Sequence, residues 1–196
     1  LTGELSLAAW FKTAAPVGNY RTLVSKWHTA PTDGTYMLGW ENSAGLRFCV
    51  SNGVRMVCAN SGQPYNDGQW HHVAGVWNGT AATIYVDGAP IATVEDATLG
   101  PLFVTTRGVG IGSDASGSGV IDEVGIYARA LAADAVADLH RAGSPGHLLT
   151  SQGDCTIGAE VHCALGRIEA GATVTVTLQA PAEGPATQVT HHPCVR

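Results

Sequence analysis

From Glu4 to Ala128, short runs rich in β-branched and aromatic residues follow one another, each closed by a cluster of Gly, Asn, Asp or Pro. This cadence constrains the fold more than any other feature of the chain. An apolar residue at every second position gives a strand one buried face, and the closing residues supply the backbone angles of tight turns. Strands are predicted at Leu5 to Lys12, Thr22 to Trp27, Thr35 to Trp40, Leu46 to Val50, Arg55 to Ala59, Trp70 to Trp77, Ala82 to Val86, Ile91 to Glu95, Val109 to Gly112 and Gly119 to Tyr127. In the sixth of these, Trp70, His72, Ala74 and Val76 lie on one side and His71, Val73, Gly75 and Trp77 on the other. A strand apolar on both faces belongs in the middle of a sheet that is covered twice. Asn78-Gly79 behind it and Asp87-Gly88 behind Ala82 to Val86 are hairpin turns, so three consecutive antiparallel strands are expected. One segment breaks the pattern. Between Leu131 and Ala142, residues Leu131, Ala135, Val136 and Leu139 fall at helical spacing, with Asp134 in the first turn and Gly143 just past the end.

Composition excludes several function classes. With 45% hydrophobic and 13% charged residues the chain is too apolar for disorder, yet no run approaches the ~20 apolar residues of a membrane helix. A net charge of -6 with scattered Lys and Arg speaks against a nucleic-acid partner. Leu1-Thr2-Gly3 carries no signal-peptide pattern. Beyond Gly143, Ser144-Pro145-Gly146 opens a polar connection over residues 144–153, and a second alternating pattern over 154–196 places Val174, Val176 and Leu178 on one face and Thr173, Thr175 and Thr177 on the other. So small a β appendage needs staples or a partner.

The runs Ser6-Leu7-Ala8-Ala9-Trp10-Phe11-Lys12, Leu23-Val24-Ser25-Lys26, Trp70 to Trp77, Thr83-Ile84-Tyr85-Val86-Asp87-Gly88 and Val120-Ile121-Asp122-Glu123-Val124-Gly125-Ile126-Tyr127-Ala128-Arg129-Ala130-Leu131 stand in the order found in laminin-G-like, concanavalin A-like domains. The segment 1–143 resembles that family. The resemblance implies an all-β fold, a two-sheet antiparallel jelly-roll closed by one short helix, in secreted or cell-surface proteins that bind glycans or proteins without catalysis. It also implies a segment one or two strands ahead of Leu5, pairing near the strand that carries Ile121-Asp122-Glu123-Val124. This chain opens at the strand after it, so an unpaired edge is expected. In the tail, Cys155, Val161-His162-Cys163-Ala164-Leu165-Gly166 and Ala170 to Leu178 resemble the closing half of an immunoglobulin-like repeat of prokaryotic surface proteins.

Candidate chemistry is sparse. A retaining glycosidase needs two carboxyl groups ~5 Å apart, whereas Glu95-Asp96 and Asp122-Glu123 are neighbours that point to opposite faces of a strand. No Gly-x-Ser-x-Gly elbow occurs, and the chain is expected not to be an enzyme. His71-His72 diverge for the same geometric reason and are expected to be packed or rim residues, and His191-His192 to lie in a solvated end. Family resemblance implies a calcium ion at Asp122, with Asp114 from the neighbouring Gly-Ser-rich loop. The competing role for Asp122 is to accept hydrogen bonds from neighbouring backbone and Arg129, and for Asp114 to be a turn residue. Sugar rings stack on aromatic faces, and Trp27, His28, Trp40 and Tyr65 are the candidates near loops. Asn78-Gly79-Thr80 matches the N-glycosylation pattern but is accounted for by the hairpin turn.

Five cysteines bear on the compartment. If Gly53-Val54 forms a two-residue loop, Cys49 faces Cys58 at a non-hydrogen-bonded position, with the ~4.5 Å Cα spacing a disulfide tolerates. An Asn52-Gly53 turn would instead set Cys49 opposite Met56. Cys155 and Cys163 flank a second short turn, and Cys194 is left over. Two local pairs favour an oxidising, extracellular compartment. The expected function is an extracellular adhesion or recognition module for glycans or proteins. The alternative is a filament subunit in which Ala172 to Gln179 is donated as a strand to a neighbour, or docks within its own chain.

Overall fold

The computed structural model describes residues 3–16, 21–27, 34–40, 45–112 and 119–143, together with the backbone of four short strands beyond them. It divides into two compact units, Leu1–Ser144 and Pro145–Arg196. The first contains strands β1 (Leu5–Lys12), β2 (Arg21–Lys26), β3 (Tyr36–Trp40), β4 (Leu46–Ser51), β5 (Met56–Asn60), β6 (Trp70–Trp77), β7 (Ala81–Val86), β8 (Ala89–Glu95), β9 (Gly110–Ile111) and β10 (Val120–Tyr127), followed by helix α1 (Ala133–Ala142). Two five-stranded antiparallel sheets result, in the orders β10-β1-β6-β7-β8 and β5-β4-β3-β2-β9. This is the jelly-roll sandwich expected from the sequence.

Its core follows from the alternation. Leu5, Leu7, Ala9 and Phe11 of β1 and Val73 and Trp77 of β6 turn inward against Leu38, Trp40, Leu46, Phe48 and Val50 of the opposite sheet, all at most 5% exposed. Gly75 is the inward residue where Phe48 crosses. A Cβ built there would sit 2.1 Å from Phe48 Cδ2, so only glycine fits. The outer face of β6 is covered as predicted. Ala8, Ala74, Val76 and Tyr85 form a second cluster with Leu131 and Val136 of the helical segment. The helix starts two residues later than the periodicity suggests because the Leu131 N–H donates to Ser6 Oγ at 2.9 Å and its side chain is buried as an anchor. Its end is as expected: the Gly143 N–H returns to Leu139 O at 3.0 Å.

Turn chemistry sets the registers. Asp87 and Gly88 both have positive φ, 49° and 78°, which a two-residue hairpin of the right twist requires. In the β4–β5 hairpin the loop is Gly53-Val54, the Asn52 N–H donates to Arg55 O, and Cys49 lies opposite Cys58. The two are joined by a disulfide with a Cα separation of 4.1 Å. β9 is shorter than the predicted Val109 to Gly112, reduced to a two-residue pairing with β2. β10 has β1 as its single neighbour among the described strands. It bulges where Ala8 pairs with Gly125 but Trp10 with Asp122, and Glu123 takes a φ of 48°.

In the second unit β11 (Leu148–Thr150) pairs with β14 (Val176–Leu178), and β12 (Asp154–Ile157) with β13 (Val161–Ala164). The stretch 144–153, read as a connection, thus contributes a strand, because Leu148-Leu149-Thr150 offers β-forming residues to Val176–Leu178. Register places Cys155 opposite Cys163. Their side chains, and the whole of Cys194, lie outside the described residues.

Candidate functional site

At one end of the sandwich the two sheets part around a cavity of about 320 Å³. β1 ends there with Lys12 and β2 begins there with Arg21, so each sheet brings one cation to the same mouth. Phe11, Leu23, Trp40 and Ile121 supply apolar lining, while Thr13, Thr22 and Asn66 add polar groups. Glycines close the wall. A Cβ on Gly112 would meet Ile121 at 3.3 Å, and one on Gly119 would meet Lys12 O at 3.0 Å. Asn66 is positioned by its own bond, Nδ2 to Ala15 O at 3.1 Å, which leaves its side-chain oxygen as an acceptor. The Arg21 Nε is buried with no hydrogen-bond partner among the described residues.

The predicted aromatic group is split up. Trp40 reaches the cavity, but it is 5% exposed, its Nε1 donates to Pro64 O at 2.7 Å, and its ring stands edge-on to Phe11 at 4.9 Å. It is part of the wall rather than an open stacking platform. Trp27 lies at the other end of β2 from Arg21, folded over Gly34, where a Cβ would meet the indole at 2.4 Å. Tyr65 does not line the cavity. It packs on the core and meets His71 edge-on at 5.2 Å, and burial, then Asp87, pushes its phenol pKa up. His28 lies outside the described residues. Sequence reasoning named Trp40 but missed Lys12 and Arg21; the available signal was that one run ends, and the next begins, with a cation beside buried aromatics.

The paired histidines diverge. His71 is held between two carboxylates, Nδ1 2.8 Å from Asp87 Oδ2 and Nε2 3.2 Å from Asp67 Oδ1. Asp67 is kept below the usual carboxylate range, by the Gln69 N–H first and then by His71. His72 faces the opposite way beneath α1, with ring centroids 5.5 Å from Trp10 and 5.9 Å from His140. Burial, reinforced by His140 and opposed by Asp87, lowers its pKa to about 4. The imidazole is therefore neutral at physiological pH.

Asp122 and Asp96 have partners of their own. Asp122 Oδ1 accepts from the Glu123 N–H at 2.8 Å, and Asp96 forms a fork with Arg55 at 2.8 and 3.2 Å. Asp114 lies outside the described residues, and among those described no three metal-ligating side chains converge. Asn78 is bound into its turn, Oδ1 accepting from Thr80 N–H, Thr80 Oγ1 and Ala81 N–H at 2.8–3.0 Å.

A family model described as the concanavalin A-like lectin/glucanases superfamily, laminin G type, matches residues 1–137. No curated protein sequence matches the chain. Among solved structures the chain is similar to domain 4 of AbnA, a GH43 extracellular arabinanase from Geobacillus stearothermophilus in complex with arabinotriose. That match has 20% identity and a TM-score of 0.54, covering 71% of this chain and 67% of that one. It is also similar to the botulinum neurotoxin serotype G binding domain, at 14% identity and a TM-score of 0.58 over 76% of this chain. A third match is the serotype D ligand binding domain in complex with N-acetylneuraminic acid, at 12% identity and a TM-score of 0.56 over 71% of this chain. The chain spans 38% and 36% of those two toxin domains. At these identities the likeness establishes the fold.

Proposed function

Because the chain belongs to the concanavalin A-like lectin/glucanases superfamily, we propose that it is a glycan-binding recognition module whose ligand enters the cavity between Lys12 and Arg21. The observation that carries this reading is the composition of that cavity: an apolar lining of Phe11, Leu23, Trp40 and Ile121, hydrogen-bonding side chains at Thr13, Thr22 and Asn66, and no carboxylate among its described lining residues. Such a lining suits the binding and orientation of a small polyol, and the described lining residues include no carboxylate pair of the kind glycoside hydrolysis uses. Two structural neighbours, solved in complex with arabinotriose and with N-acetylneuraminic acid, support the same ligand class. An extracellular or cell-surface location is supported by the Cys49–Cys58 disulfide. The test is a glycan array probed with the full chain. Signals abolished by substitution of a lining residue support the proposal, and a blank array rejects it.

A second reading, filament assembly by strand donation, rests on the edge of β10 that no described strand covers, where Val120 and Ile126 are 48% and 38% exposed. Its donor would be Ala172 to Gln179. Val176–Leu178 already pair with Leu148–Thr150, so donation requires that ladder to open. Sedimentation of the full chain and of Val176→Pro decides: polymers lost in the variant support donation, and a monomer in both rejects it. Calcium at Asp122 and Asp114 is a separate proposal, tested by whether chelation lowers the melting temperature.

A further inference from the structure

We propose that the cavity selects a sugar bearing a carboxylate, a hexuronic acid or a residue of like chemistry, clamped between Lys12 and Arg21. This rests on the glycan reading and adds the charge of the ligand. The chain as a whole is acidic, with 16 Asp and Glu against 10 Lys and Arg, yet the described residues lining the cavity include two cations and no anion. They arrive from opposite sheets. Lys12 pairs with Trp70 and Val120 in one, and Arg21 with Trp40 in the other, so the backbone fixes both at the same mouth.

Among the described residues no carboxylate lies within ion-pair distance of either side chain. Elsewhere the accessible guanidinium Arg55 does take a carboxylate, that of Asp96. The buried Arg21 Nε without a hydrogen-bond partner is costly for the free protein, and a ligand oxygen would relieve that cost. A guanidinium presents parallel N–H groups that match a carboxylate, and the apolar wall of Phe11, Leu23 and Ile121 lowers the local dielectric and strengthens that attraction. Thr13, Thr22 and Asn66 line the same cavity. At about 320 Å³ the cavity lies at the small end of ligand sites, as a sugar unit or two would require.

The test compares digalacturonate with its dimethyl ester, which has the same rings without the charge, by titration calorimetry on the full chain. The acid is expected to bind at least about tenfold more tightly than the ester, and added salt to narrow the gap. Lys12→Gln and Arg21→Gln should each weaken the acid by about ten- to a hundredfold, and in doing so remove most of its advantage over the ester. Lys12 is exposed at a strand end, so its variant remains informative if Arg21→Gln fails to fold. Equal binding of acid and ester overturns the charge inference while the glycan reading stands. An array that lights up only with neutral glycans overturns it in the same way. A blank array together with no binding of either probe removes both.

Discussion

Adding one carbon atom at position 75 tests how the two sheets face each other. Gly75 does not have a positive φ, so alanine is conformationally permitted there; in open space the change would stabilise the protein by ~0.4–1 kcal/mol through the unfolded state. In the sandwich the new methyl would stand 2.1 and 2.2 Å from two ring carbons of Phe48, a side chain of 0% exposure enclosed by the core. An aromatic ring there cannot turn aside without displacing its neighbours, and overpacking of this kind costs ~1–3 kcal/mol or more. The net expectation for Gly75→Ala is a loss of about 2 kcal/mol, or about 4–8 °C in melting temperature for a unit of this size. The sign is the sensitive part. Phe48→Leu, costing about 1.5 kcal/mol by itself, opens room for the methyl, so the double variant should be more stable than the sum of the single losses by about 1 kcal/mol. Urea unfolding read by tryptophan emission suits the measurement, because all 5 tryptophans lie in the first unit. A neutral or stabilising Gly75→Ala, or strictly additive losses, would refute the facing of β6 and Phe48.

Other predictions address the hairpin staple and the buried histidine. The Cys49–Cys58 disulfide closes a span of 9 residues; chain entropy puts its removal at about 2–3 kcal/mol, and a non-reducing peptide map should recover the two cysteines as one linked fragment. His72, 2% exposed with its pKa lowered to about 4, binds its proton more weakly folded than unfolded. Its contribution to stability is therefore complete above pH ~6.5 and is lost progressively as pH falls toward 4, by about 3 kcal/mol at most. His72→Asn should flatten that acid limb of the stability profile, and an unchanged slope in urea titrations at stepped pH would contradict the assignment.

The fold was legible where local signals agreed with each other. β1 and β6 have the predicted boundaries because their alternation runs without interruption between turn residues. The β4–β5 register became readable once cysteine placement and the Gly53-Val54 loop were weighed together, although from the sequence the competing turn stayed open. The helix start was not legible. Leu131 has helical spacing, but a hydroxyl 125 residues away takes its N–H. The site was less legible still, since Lys12 and Arg21 meet only when two sheets are stacked, and strand order is a long-range property. Trp27 and Trp40 both border loops in the sequence, and only the pairing of Trp40 with Arg21 and of Tyr36 with Lys26 shows that they occupy opposite ends of the sheet.

The central claim is that ligand is bound in the cavity between the sheets. Amide chemical-shift mapping of the full chain, titrated with digalacturonate, tests it directly. Binding in the cavity predicts a contiguous set of shifted amides over residues 11–15, 21–23, 112 and 119–121, around the lining side chains. Shifts centred on Trp27 at the far end of β2, or no shifts at all, would contradict it.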